Sequence, residues 1–171
     1  MKKFLIITTA VLVITALVFS CLYIVFRINT TLYIDPDAST SYVLSLNDPV
    51  YAERFLKDSI LMADSAVKGT VYAEEVPAEG EGLEYVLYTL RITNRSFADV
   101  RAVELSLNHE NGDLLFYMPD ENETVIEPGR TKDVSCLLLR RINNGQKSRD
   151  IKIDYLIFGK KYDQRFTVNE H

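Results

Sequence analysis

Residues 4–26 of this chain, FLIITTAVLVITALVFSCLYIVF, contain no charge, and Lys2, Lys3 and Arg27 bracket them. At about 1.5 Å of rise per residue, an α-helix of this length spans the roughly 30 Å hydrocarbon layer of a bilayer. Its backbone hydrogen bonds are satisfied internally, which lipid cannot do for any open structure. The segment therefore predicts a transmembrane anchor, with everything after Arg27 held beside a membrane. Two lysines before the span, and Asp35 and Asp37 soon after it, predict a cytoplasmic amino terminus and an extracytoplasmic carboxyl-terminal domain.

Two readings compete with an uncleaved anchor. The segment Leu17-Val18-Phe19-Ser20-Cys21 loosely imitates a lipoprotein processing site, with Cys21 as the lipidated residue, or the run is a plain signal peptide. Phe19 is bulky for such a site, and the apolar run continues past Cys21 where a polar tether belongs. We therefore read residues 1–27 as cytoplasmic tip and anchor.

Charge narrows the function classes. All 24 acidic residues lie beyond Arg27, so the remainder of the chain is more acidic than the overall net charge of −5. Such a domain, without a basic run, is a poor ligand for nucleic acid, and no nucleic-acid partner is expected. The two cysteines, Cys21 and Cys136, lie on either side of the anchor boundary, so the exported part has no internal disulfide. That is more typical of a bacterial envelope domain than of a small secreted eukaryotic one.

Beyond the anchor, residues 28–48 mix Thr, Ser and Asp with short apolar pieces and read as a stalk that partly packs on the domain. A turn signal, Asp35-Pro36-Asp37, separates two brief strand candidates at Tyr33-Ile34 and Tyr42-Val43-Leu44. Residues 49–66 read as one amphipathic helix. Asp48 is a suitable N-cap, and Pro49 suits the first helical position. Ala52, Phe55, Leu56, Ser59, Ile60 and Ala63 then form an apolar stripe at three- and four-residue spacing.

From residue 67 to 171 the period changes to two, the mark of strands. Val86, Tyr88, Leu90 and Ile92 share one face, Val103, Leu105 and Leu107 another, and Ile151, Ile153, Tyr155 and Ile157 a third. Turn residues punctuate the runs. Asn111-Gly112, between Leu107 and Leu114, is the sharpest hairpin signal. Many short strands without intervening helices predict a mainly β fold: an antiparallel sandwich with one amphipathic helix, behind a single transmembrane helix.

Within this pattern, Ile92-Thr93-Asn94-Arg95-Ser96, Ala98-Asp99-Val100, Asn111-Gly112-Asp113-Leu114-Leu115 and Ile126-Glu127-Pro128-Gly129-Arg130-Thr131 stand in a recurring order. This order resembles the small immunoglobulin-like or FxLYD-like β-sandwich modules of bacterial membrane-anchored envelope proteins. The resemblance covers about a third of the chain and consists of turn motifs. It implies an immunoglobulin-like sandwich at the cell envelope and no catalytic residue.

Chemistry is sparse. His109 sits near a predicted turn and His171 is the last residue, and neither has an assignable nucleophile or acid partner. Cys136 alternates with Val134 and Leu138 and reads as a buried small side chain. Zinc-ligand spacing, the phosphate loop and the dinucleotide glycine pattern are missing. We expect no enzyme activity and no cofactor. Asp120, Glu121, Asn122 and Glu123 form an oxygen-rich loop that could hold calcium, which gives the alternative of a small-ligand or calcium-binding envelope domain.

Two strands carry apolar residues on both faces. Tyr85 and Leu87 oppose the Val86–Ile92 stripe, and Leu156 and Phe158 oppose the Ile151–Ile157 stripe. Such strands are either central and covered by the helix, or they expose a patch for a partner. Tyr85, Leu87, Leu156 and Phe158 are the candidate patch, and the expected partner is another envelope protein or complex subunit.

Overall fold

The computed structural model describes residues 2–66, 68–74, 82–119, 124–142 and 148–170. Helix α1 (Lys2–Thr30) leads the chain. Its segment Ile7–Arg27 has a mean hydropathy of 2.5, is not buried against the rest of the protein, and is long and apolar enough to cross a membrane. Among the described residues, nine strands and a second helix follow: β1 (Tyr33–Ile34), β2 (Thr40–Leu46), α2 (Pro49–Ser65), β3 (Gly69–Val71), β4 (Leu83–Thr93), β5 (Val100–Leu107), β6 (Asp113–Tyr117), β7 (Thr131–Arg141), β8 (Ser148–Ile157) and β9 (Lys160–Asn169).

These strands make two antiparallel sheets. One has the order β1-β4-β7-β6-β3, with β2 also on β4, and the other is β5-β8-β9. Taking β1 and β2 together as one interrupted edge strand, the order is that of an immunoglobulin constant-type sandwich with one additional strand, β3, beyond β6. The core between the sheets is built from alternate residues: Val86, Tyr88, Leu90, Ile92, Val134, Cys136 and Leu138 from one side, and Val103, Leu105, Ile151, Ile153, Tyr155 and Ile157 from the other. Each fully buried aliphatic side chain among them contributes about 2 kcal/mol of transfer free energy.

The first sheet is covered on its other face too. There Leu83, Leu115, Leu137 and Leu139 pack against Ala52, Leu56 and Ala63 of α2. Double cover explains the unbroken apolar run Cys136 to Leu139 in β7, which a sheet with one wet face would not show. Helix α2 starts as its sequence dictates. The Asp48 carboxylate accepts hydrogen bonds from the Val50 and Tyr51 backbone N–H groups, and Pro49 needs no donor at that position. Lys57 donates to Glu53 at 2.6 Å on the solvent side. The following connection is tight: a Cβ on Gly69 would lie 1.9 Å from the Ala63 carbonyl oxygen, so β3 approaches the helix only through glycine.

Residues 28–48, read as a stalk that partly packs on the domain, contain both expected strands and join the sandwich through them. Leu32 and Ile34 enter the core, and β1 and β2 pair with β4, with Tyr33 opposite Thr93 and Leu46 opposite Leu83. The Asp35 carboxylate accepts from the Asp37 and Ala38 N–H groups, closing the turn that lets this edge strand step outward and resume. Asn111-Gly112, however, does not close a β-hairpin. Strands β5 and β6 belong to different sheets, so this turn carries the chain across the sandwich, with Gly112 at φ 99°.

At one end of the sandwich the loops are tied by a single residue. Asn94 is fully buried. Its side-chain N–H groups donate to the Ala98 and Ile126 carbonyls, both at 2.8 Å, and its oxygen accepts from the Ser96 N–H and hydroxyl. Its backbone joins the Pro128-Gly129 turn through Gly129 N–H at 2.8 Å. Replacing Asn94 with Ala removes four buried hydrogen bonds and leaves the Ser96 N–H without its acceptor, while the Ile126 and Ala98 carbonyls keep only the Val100 N–H and the Ser96 hydroxyl as donors. The expected cost is about 2–4 kcal/mol, read from denaturant unfolding of the purified chain.

Candidate functional site

The four patch residues lie on two different surfaces. Tyr85 and Leu87 face outward from the first sheet, on the side of α2. The Tyr85 ring meets Phe55 edge-on at 5.3 Å, and burial pushes the Tyr85 hydroxyl pKa up. Leu87 is half-buried next to β2, paired in register with Tyr42. Tyr42 and Leu44 share its face, because register partners in an antiparallel pair point the same way. Both are exposed, as is Tyr51 at the start of α2. The helix therefore covers the middle of the sheet and leaves an apolar flank of Tyr42, Leu44, Tyr51 and Leu87. Sequence reasoning found Tyr85 and Leu87 by their alternation. It missed Tyr42 and Leu44, because a short strand beside polar residues gives a weak periodic signal.

Leu156 and Phe158 face outward from the second sheet. Leu156 is half-buried in a shallow depression with Ala98, Asp99, Arg101 and Gly159. Phe158 is 62% exposed, and its ring lies 5.1 Å from that of Phe97, which is 69% exposed. This pair sits at the same end of the sandwich as Asn94, far from Tyr85 and Leu87.

At the opposite end the core is ionic. Arg140 donates from Nε to Glu84 at 2.9 Å and from its terminal nitrogens to both Glu170 oxygens, at 3.2 and 2.7 Å. The Tyr88 hydroxyl donates to the same Glu170 at 2.5 Å. Burial disfavours the Arg140 charge, but the Glu170 and Glu84 carboxylates more than offset this and raise its pKa further. Tyr88 is also pushed up, first by burial and then by Glu170, so its hydroxyl stays protonated. Arg149, nearly enclosed, pairs with buried Asp113 and with Glu110 at 3.0 Å, and donates to the Asn108 carbonyl at 2.8 Å. Nothing in the sequence pattern placed these residues together, since they come from four strands, one connection and the segment after β9.

This cluster is rich in charge-assisted hydrogen bonds that cross from one sheet to the other, which makes it a clamp between the sheets. His109 stacks on Tyr72 at 4.4 Å, with its Nδ1 4.0 Å from Asp113, and is half exposed. Cys136 is fully enclosed, and burial drives its thiol far above the thiolate range of a nucleophile. Among the described residues, no group of three or more His, Cys, Asp or Glu is placed to hold a metal ion. The loop of Asp120, Glu121, Asn122 and Glu123 lies outside the described residues, as does His171.

No protein-family model matches the chain. No curated protein matches it in sequence. Among solved structures, the chain is similar to the GAE domain of yeast GGA1, at 10% identity and a TM-score of 0.39, over 60% of this chain and 97% of that one. It is also similar to a FixG-related protein from Vibrio parahaemolyticus, at 12% identity and a TM-score of 0.32, over 80% of this chain and 97% of that one. The sandwich assignment rests on strand register, not on either likeness.

Two outcomes test this description. Arg140→Met leaves Glu84 and Glu170 buried without their cation, and unfolding is expected about 3–5 kcal/mol easier. In a Cys21→Ser background, Cys136 should resist maleimide alkylation in the folded protein and react only on unfolding, as mass spectrometry would record.

Proposed function

We propose that this chain is a single-pass, membrane-anchored interaction module of the cell envelope, without catalytic activity. In this reading α1 spans the membrane with its amino terminus in the cytoplasm. The sandwich stands on the extracytoplasmic side and binds another envelope protein. The observation that carries the proposal is the apolar flank beside α2, where exposed Tyr42 and Leu44 lie next to half-buried Leu87 and Tyr85, and exposed Tyr51 adjoins them through Phe55. Aromatic and aliphatic side chains exposed together beside a rigid sheet are the usual centre of a protein interface. The acidic balance of the chain beyond Arg27 supports a protein partner over nucleic acid. The resemblance of the turn motifs to FxLYD-like envelope modules points to the same address.

A photo-crosslinking residue in place of Tyr42 or Leu44, in intact cells, should yield a discrete adduct. The same residue in place of Thr167, exposed on β9, should not. Leu87→Asp should abolish the adduct and weaken the purified complex by about 2 kcal/mol, roughly thirtyfold in Kd. Protease added to spheroplasts should remove the sandwich and spare the span. Absence of adducts from both flank positions, or a protected sandwich, would refute the proposal.

A further inference from the structure

The anchor and the sandwich are joined without a spacer. Thr30, the last residue of α1, is already buried, and its carbonyl accepts a hydrogen bond from the core Tyr155 hydroxyl at 2.7 Å. Two residues on, Leu32 is 3% exposed and its carbonyl accepts from Gln164 Nε2 at 3.2 Å. One helical turn before Thr30, the Phe26 ring lies 6.4 Å from that of Tyr162.

Strand register gives the direction. Tyr33 pairs with Thr93, the last residue of β4, and β1 runs antiparallel to it. The chain therefore arrives from the end of the sandwich where β4 stops. Val100, the first residue of β5, pairs with Ile157, the last of β8, so the β8–β9 turn is at this end too. The turn reaches about 10 Å beyond the Tyr155–Tyr162 pair, at roughly 3.3 Å per residue.

That end carries Phe97 and Phe158, the most exposed aromatic residues of the sandwich, with rings in contact. Arg95, stacked 3.6 Å over the Tyr33 ring, Arg130, Lys160 and Lys161, whose Nζ lies 3.7 Å from Asp154, are exposed at this end, alongside half-buried Asp99 and exposed Glu127. In a chain this acidic, four basic residues at the end that carries two exposed phenylalanines are a local reversal of charge. The backbone adds an independent sign. Phe158 has φ 54° and Gly159 φ 71°, the two positive angles of a tight hairpin turn whose first position suits Asn or Asp. A bulky residue held there costs stability and points to a use for the side chain.

We propose that Phe97 and Phe158 dip into the bilayer at the boundary of headgroups and acyl chains, with Arg95, Arg130, Lys160 and Lys161 on the lipid phosphates. The sandwich then rests on the membrane by this tip as well as by α1, which fixes its tilt and turns the Tyr42–Leu87 flank sideways. Exposed apolar side chains ringed by cations are the standard chemistry of an interfacial contact. This inference rests on the membrane anchoring proposed above.

The chain has no tryptophan, so a single substitution gives a unique fluorophore. The full chain is reconstituted in phosphatidylcholine–phosphatidylglycerol vesicles with bromine atoms on the acyl chains. Phe158→Trp and Phe97→Trp should be blue-shifted and quenched. Val50→Trp, exposed at the start of α2 and the far end of the sandwich, should be neither. Leu17→Trp reports the span itself and should be quenched most. Quenching of Leu17→Trp with Phe158→Trp and Phe97→Trp indistinguishable from Val50→Trp would overturn the tip contact and leave the anchor standing. No quenching of Leu17→Trp would overturn both. Phe158→Asn relieves the turn, so its melting midpoint in detergent should rise, while quenching of Phe97→Trp in that background should fall. Unchanged quenching there would also count against the proposal.

Discussion

The hydrogen bond from Tyr155 to the Thr30 carbonyl, with Leu32 seated in the core beside it, sets how this protein meets its surroundings. A helix end leaves its last carbonyls without partners, and here the final one, on Thr30, is satisfied by the folded domain instead of by water. Burial pushes the Tyr155 hydroxyl up to about 12, so it remains a donor throughout the physiological range. Helix and sandwich thus share a buried polar contact and an apolar one within three residues. A sandwich joined in this way follows the helix closely, and the surfaces it offers are set by the fold and not by a tether.

The width of α2 decides which apolar surface is left over. A helix with its side chains is about 10 Å across, whereas strands repeat at about 4.8 Å, so one helix covers about two strands. The first sheet is wider than that. Helix α2 is placed over the leucines of β6, β7 and the start of β4 and over Leu46 at the end of β2, and the earlier part of β2 on the far flank stays uncovered. Tyr42 and Leu44 are exposed for this reason, and Leu87 is shielded only in part. Among the described residues no helix packs on the second sheet, and its outward positions are mostly polar: Glu104, Ser106, Lys152 and Asp154. Phe158 departs from that rule.

Much of this was legible in the residues. The apolar run of α1, the Asp48-Pro49 start of α2 and the period of two in β4, β5, β8 and β9 each follow from local physics, and each appears in the structure at or near its expected bounds. What periodicity cannot supply is the partner of each face. It shows that Tyr85 and Phe158 lie opposite core stripes, but not that the two strands belong to different sheets. Asn111-Gly112 made the same point in reverse: the turn chemistry was read correctly, and only tertiary pairing revealed that it links sheets. The clamp of Arg140, Glu84 and Glu170 was invisible because charged residues break an alternating pattern, and their compensation comes from strands distant in sequence.

The two ends of the sandwich are closed by opposite chemistries, and the difference follows from what lies beyond each. At the end away from α1, Arg140 and Arg149 are desolvated and must find carboxylates, which they do in Glu84, Glu170 and Asp113. Such a clamp adds little net stability over a well-packed apolar cap, because desolvation consumes most of the Coulomb gain. It does forbid alternative pairings, since a slipped strand would leave a buried charge without its partner. At the end next to α1, closure is instead by the neutral, fully bonded Asn94, and the surplus apolar side chains point outward. Exposing Phe97 and Phe158 to bulk water would oppose solubility, and holding Phe158 at a positive φ would oppose stability. Both costs vanish or are offset if the medium facing that end is not water.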